Sequence, residues 1–291
     1  MMASTWRGTF VGVAAAALTT LAAEAATAAD PFIASPWVEK ASTRLRLLAG
    51  ADRQLKAGMV RTAGVEIDLA PGWKTYWRNP GDAGIPPVVE WTKSRNVAAV
   101  ELKLPAPVRI EDRAGLTIGY DKPVTFPLVV TPVDPKAPVH LAIDVALGVC
   151  KDICVPVEAA LAIDLPATLG PDREAPAITA AYARVPRHLG QVAAGVPLGS
   201  FPALLKIDGD FTTASGRITL HARGASEAYV EAPDGLFVPL PKRTAGDANA
   251  KSTVFEVNLA NSPDVELLPG KTLRVTLVGP SGAIEADWVA R

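Results

Sequence analysis

Leu141-Ala142-Ile143-Asp144-Val145-Ala146-Leu147-Gly148-Val149-Cys150-Lys151-Asp152-Ile153-Cys154-Val155-Pro156-Val157-Glu158-Ala159-Ala160-Leu161-Ala162-Ile163-Asp164-Leu165 reads as two strands joined by a short connection. Leu141, Ile143, Val145 and Leu147 share one face, as do Val155, Val157, Ala159, Leu161, Ile163 and Leu165, the period-two pattern of half-buried strands. Both cysteines of the chain sit at the connection. A turn brings residues four apart into the 4.4–6.8 Å Cα range a disulfide needs, which an extended run does not.

The same alternation runs outward in both directions. Upstream it marks Arg44–Ala49 and Ala63–Leu69, with further strands expected at Val97–Leu104 and Val124–Thr131. Turn signals cluster at Pro71-Gly72, Asn79-Pro80-Gly81-Asp82 and Ile85-Pro86-Pro87. Many short strands with almost no helical period predict a β-sandwich. The texture changes at Pro166–Pro186, where Ala177, Ile178, Ala181, Tyr182 and Val185 recur at helical spacing until Pro186 stops them. Alternation then returns in Ala203–Ile207, Arg217–Arg223, Ala228–Ala232, Thr253–Leu259, Thr272–Val278 and Ala283–Trp288, with loop breaks expected at Asp247–Lys251 and Pro269-Gly270-Lys271. The expected class is all-β. Residues 30–166 form a first sandwich and 167–199 a linker with a short helix. Residues 200–291 then form a second sandwich-like domain.

Composition narrows the function. The 291 residues carry 29 Lys+Arg against 30 Asp+Glu, and 49% are hydrophobic, which excludes disorder. The even charge argues against nucleic-acid binding, which shows a basic excess or stripe. Two cysteines are too few for a disulfide-stapled scaffold or, alone, a structural zinc site. His140, His188 and His221 are scattered singly. No Gly-x-Ser-x-Gly elbow, His-Glu-x-x-His helix or phosphate loop occurs. Glu111, Asp112 and Arg113 read as a solvated charged loop face, and Asp208-Gly209-Asp210 as a turn.

Residues 1–29 read as an export leader. Arg7 precedes an Ala- and Leu-rich run, and Ala26-Thr27-Ala28 fits a small-x-small cleavage pattern. Export leads to a compartment where disulfides persist, so the cysteine pair becomes the most informative feature. A bridge closing so short a ring stabilises by about 2 kcal/mol, against about 4.7 for a hundred-residue loop. Lys151 beside Cys150 favours a thiolate, and Asp152 opposes it. Three readings stand: a redox-active pair, a structural staple within a protein-binding module, and a copper(I) site with His140 or Met59.

The run Pro71-Gly72-Trp73-Lys74-Thr75-Tyr76-Trp77-Arg78-Asn79-Pro80-Gly81-Asp82-Ala83-Gly84-Ile85-Pro86-Pro87 resembles a signature of DsbD-type thiol:disulfide interchange proteins. Gly148–Pro156 is similar to the cysteine segment of that family's periplasmic N-terminal domain, and the overall texture to its ScsB-like branch. The resemblance implies an immunoglobulin-like first domain with Cys150 and Cys154 as the redox pair. It implies Trp73 and Tyr76 as flanking aromatics, although ordinary sandwich core is the competing reading for both. It also implies a periplasmic location. The partners it implies are a separate membrane-embedded DsbD-like electron donor and periplasmic thioredoxin-fold proteins. No small-molecule cofactor or metal is implied. The chain departs from full-length members in having no Cys-x-x-Cys anywhere, and its cysteine spacing is shorter.

Overall fold

Apolar side chains on alternate residues leave one face of each strand unsatisfied, and pairs of sheets close over those faces. The computed structural model describes residues 1–2, 32–55, 58–81, 83–112, 115–191, 205–247 and 252–291. All of the expected leader but its first two residues therefore lies outside the described residues. No helix among the described residues is long and apolar enough to cross a membrane.

The first sandwich uses β1 (Val38–Lys40), β2 (Thr43–Leu55), β3 (Gly58–Leu69), β4 (Lys74–Gly81), β5 (Val88–Glu90), β6 (Val97–Leu102), β7 (Val108–Asp112), β8 (Gly115–Tyr120), β9 (Val124–Pro132), β10 (Val139–Cys150) and β11 (Cys154–Leu165). One sheet has the order β1-β2-β3-β9-β6; the other runs β11-β10-β4-β8-β7, with β5 on β10. Their facing sides bury Leu45, Leu47, Val65, Ile67, Trp77, Phe126, Leu141, Ile143, Leu147, Val149 and Leu161 in one core. Burying each large side chain contributes about 1.5–3 kcal/mol, which is what specifies the register.

Helix α1 (Pro176–Tyr182) begins with Pro at its first turn, where the missing N–H costs nothing. It buries Ile178 and Ala181; Ile178 packs with Leu48 and Ala175 in a small cluster on the first sandwich. The second sandwich comprises β12 (Arg187–Gln191), β13 (Leu205–Asp210), β14 (Arg217–Arg223), β15 (Glu227–Glu231), β16 (Lys242–Asp247), β17 (Ser252–Asn258), β18 (Thr272–Gly279) and β19 (Gly282–Val289). Its sheets are β12-β19-β18-β15 and β13-β14-β17-β16, closed over a separate core around Leu220, Val230, Phe255, Val257, Leu273 and Val275.

The architecture is all-β: an immunoglobulin-like sandwich, a short helix and a second sandwich. Several details differ from the sequence reading. The Trp-rich run around Asn79-Pro80-Gly81 is not a string of turns; residues 74–81 form β4, inside the sheet that carries the cysteines. The hairpin β7–β8 and strand β16 are not among the expected strands: Val108-Arg109-Ile110 and Leu116-Thr117-Ile118 alternate only over short runs, and Lys242–Asp247 is almost wholly polar or small. Arg187–Gln191, in the segment read as linker, pairs in parallel with β19.

The seam between the sandwiches centres on β4. Trp77 meets Tyr229 at 5.3 Å between ring centroids, and Arg78 reaches across to Glu231 and Glu285 at 2.8 Å each. Arg109 on β7 adds a 3.2 Å ion pair with Glu227 and donates to the Pro241 carbonyl.

Candidate redox site

Strands β10 and β11 are paired along their whole length, from Val139↔Leu165 to Cys150↔Cys154. The cysteines thus close the hairpin ladder as a directly opposed pair, with Lys151, Asp152 and Ile153 as the connection. Opposed Cα atoms in an antiparallel ladder lie about 4.5–5.5 Å apart, inside the disulfide range. Their sulfurs lie 2.7 Å apart, so bond formation requires about 0.7 Å of closure.

On the other side of β10, Cys150 pairs with Lys74 of β4. Paired residues in a ladder share a face, so Lys74, Cys150 and Cys154 form a row across three strands. This face is opposite the one that sends Val149 into the core. Tyr76, two residues beyond Lys74, stands on the same face and its hydroxyl lies 2.9 Å from the Cys154 sulfur. Its ring fits because both flanking positions are glycine. A Cβ on Gly148 would come within 2.8 Å of the ring, and one on Gly84 within 2.5 Å. The Gly148 N–H donates to the Ile85 carbonyl at 3.0 Å, tying the segment before β5 against the hairpin.

The two thiols occupy different environments. Cys150 is 1% exposed, whereas Cys154 is open to solvent beside Ile153, itself 74% exposed. Burial pushes the Cys150 thiol above its ordinary value, and the Cys154 sulfur adds to the rise; the Tyr76 hydroxyl and the Lys74 charge act against it. Burial also raises Tyr76 well above the usual phenol, so its proton stays on oxygen and is available to the sulfur.

Of the residues picked out from sequence, Cys150, Cys154 and Tyr76 come together, while Trp73 packs against the first sandwich's core. Tyr76 is at once buried aromatic and cysteine contact, so the two readings of it are compatible. The copper set is not assembled. His140 lies ten residues back along β10, about 33 Å away, and bonds to Asp164 at 2.6 Å. Met59 lies on β3 of the other sheet, opposite Gln54. Lys151 runs along the Pro71-Gly72 turn, 3.4 Å from where a Gly72 Cβ would be.

The cation beside Cys150 is Lys74, which the sequence reading passed over. Its partner is Asp112, which the charged run alone marks only as solvated surface; the two ion-pair at 2.6 Å with the lysine side chain 4% exposed. The signal available was period two within Lys74-Thr75-Tyr76, which puts Lys74 on Tyr76's face once the run is known to be a strand.

Two opposed thiols at a hairpin end, one buried and one open, are chemically able to exchange with an external disulfide. Residues 46–166 match the family described as thiol:disulfide interchange protein DsbD, N-terminal, so this part of the chain is similar to a DsbD-type N-terminal domain. The crystal structure of the N-terminal periplasmic domain of ScsB from Proteus mirabilis superposes with a TM-score of 0.60 at 22% identity, covering 87% of this chain and 96% of that one. That likeness extends over both sandwiches. No curated protein matches the chain.

Proposed function

We propose that the chain is an exported carrier of reducing equivalents in the periplasm, exchanging thiols and disulfides through Cys150 and Cys154. Residues 1–29 act as its leader. A separate membrane-embedded DsbD-like protein donates electrons, and thioredoxin-fold proteins of the periplasm receive them. The carrying observation is the asymmetry of the pair: Cys154 is open to a partner, and Cys150 is buried 2.7 Å behind it.

The chemistry follows from that asymmetry. The Cys154 thiolate attacks a partner disulfide and forms a mixed disulfide; Cys150 then attacks Cys154 and releases the reduced partner. Tyr76 is placed to donate to the Cys154 sulfur when it carries charge. A purely structural staple is disfavoured because the hairpin is already held by a full ladder from Val139↔Leu165 onward. A bridge across so short a ring adds about 2 kcal/mol at most.

The test is the reduction potential of the pair by equilibration in thiol buffers, read by mass spectrometry. A value between about −120 and −270 mV supports a carrier. A value below about −300 mV leaves a structural staple. In parallel, Cys150→Ser should accumulate a mixed disulfide with a thioredoxin-fold partner and Cys154→Ser should not; the reverse pattern refutes the assignment of Cys154 as the attacking thiol.

A further inference from the structure

Lys74 is a buried cation that the exchange chemistry described so far leaves unused. It stands in the same cross-strand row as both thiols, directly paired with Cys150. Its side chain is 4% exposed, and its Nζ lies 2.6 Å from Asp112 Oδ2 at the end of β7. An ammonium taken out of water needs compensation, and here one comes from a carboxylate still 38% exposed. A partner so open to solvent neutralises the ammonium incompletely, and the remaining field falls on the neighbouring sulfur.

We propose that Lys74, held in place by Asp112, is a positioning residue that stabilises negative charge on Cys150 whenever the Cys150–Cys154 bond is made or broken. The proposal rests on the exchange reading above. In the reducing direction, an incoming thiolate attacks Cys154 Sγ of the disulfide and forms a new S–S bond there. The Cys150–Cys154 bond breaks, and its electron pair leaves on Cys150 as a thiolate, later protonated from water. In the oxidising direction, Cys150 gives its proton to water and attacks Cys154 Sγ of the mixed disulfide. The partner sulfur then leaves with the electron pair. The donor's second thiolate then attacks the donor sulfur of the mixed disulfide and releases Cys154 as a thiolate, so two electrons pass in each case, and in both Cys150 carries the charge. A sulfur whose thiolate is stabilised leaves faster.

The groups facing Cys150 pull in both directions. Tyr76 and Lys74, both on β4, favour its thiolate, while burial and the Cys154 sulfur on β11 oppose it. Asp112 on β7 tempers Lys74. Lys151 and Asp152 occupy the connection; Lys151 lies along Gly72.

The test is the rate at which excess dithiothreitol reduces the oxidised chain, followed by quenched alkylation over about pH 6–10. Lys74→Met should slow reduction about tenfold, Lys74→Arg should restore it to within about threefold, and Asp112→Asn should speed it by freeing the ammonium. In a Cys154→Ala background, Lys74→Met should shift the pH profile of Cys150 alkylation upward. An unmoved profile, a Lys74→Met rate within twofold of the parent, or a Lys74→Arg rate as slow as Met overturns the proposal. If Lys74→Met does not fold, Asp112→Asn decides alone: acceleration supports the proposal, and an unchanged or slower rate overturns it. The exchange reading is judged separately, on the parent chain's potential. The variant-to-parent ratio under forced reduction is measurable whatever that potential is.

Discussion

Arg78→Met should weaken the hold of the second sandwich on the strand that carries Tyr76. The guanidinium donates from Nε to both Glu231 oxygens at 3.0 and 3.1 Å, and from Nη2 to Glu231 and Glu285 at 2.8 Å each. It also lies 4.2 Å over the Trp77 ring. Forked pairing of this kind is among the stronger charge-assisted arrangements. Removing one partner of a fully buried pair costs about 3–5 kcal/mol, chiefly because the other charge is stranded. Here the Arg78 side chain is 30% exposed and the carboxylates 18% and 13%, so solvent recovers part of that and about 2–4 kcal/mol is expected. Met keeps the apolar stem but removes the guanidinium from over Trp77, so the loss reports the charge with its ring contact rather than the stem's packing. Urea unfolding of residues 30–291 measures it. The triple variant with Glu231→Gln and Glu285→Gln should regain at least half of the loss, since neutral amides tolerate burial better. A loss under about 1 kcal/mol, or a triple variant no more stable than Arg78→Met, refutes the argument that this cluster holds the sandwiches together.

Gly148→Ala puts a methyl group 2.8 Å from the Tyr76 ring and 2.9 Å from Ile85 Cβ, so the ring must move. About 1–3 kcal/mol of stability should be lost to overpacking, and iodoacetamide should modify Cys154 at a changed rate, readable by mass spectrometry. Reduced and oxidised chains should also differ in pH dependence. Cys150 has its folded value raised by burial, so the unfolded reduced chain loses that proton first; the stability is intact below the unfolded thiol value of about 8.5 and declines as pH rises above it. Thermal melts of the two forms should diverge above about pH 8.5, with the reduced form falling; parallel curves would contradict the burial argument.

The period-two runs at Leu141–Leu147 and Val155–Leu165 were legible from sequence because one face of each strand must be buried. They also located the cysteines at a hairpin end, which the register Cys150↔Cys154 bears out. The alternation in the second block pointed to its sandwich for the same reason. Strand β4 was harder. Thr75 and Trp77 face inward, but Lys74 and Tyr76 are buried too, under a covering that no local pattern encodes. Asn79, Pro80 and Gly81 then imitate turns, although they sit in a strand whose pairing with β8 shifts register.

The sequence by itself determined the all-β class, the hairpin and the pair of thiols at its end, because these depend on periodicity and on residues four apart. The tertiary structure decided which thiol is open, that Tyr76 touches Cys154, and that Lys74 with Asp112 is the nearby charge pair. Those contacts join strands separated by up to 78 positions in the chain. They depend on strand order and on which faces are covered, and both are set by the packing of whole sheets rather than by any local run of residues.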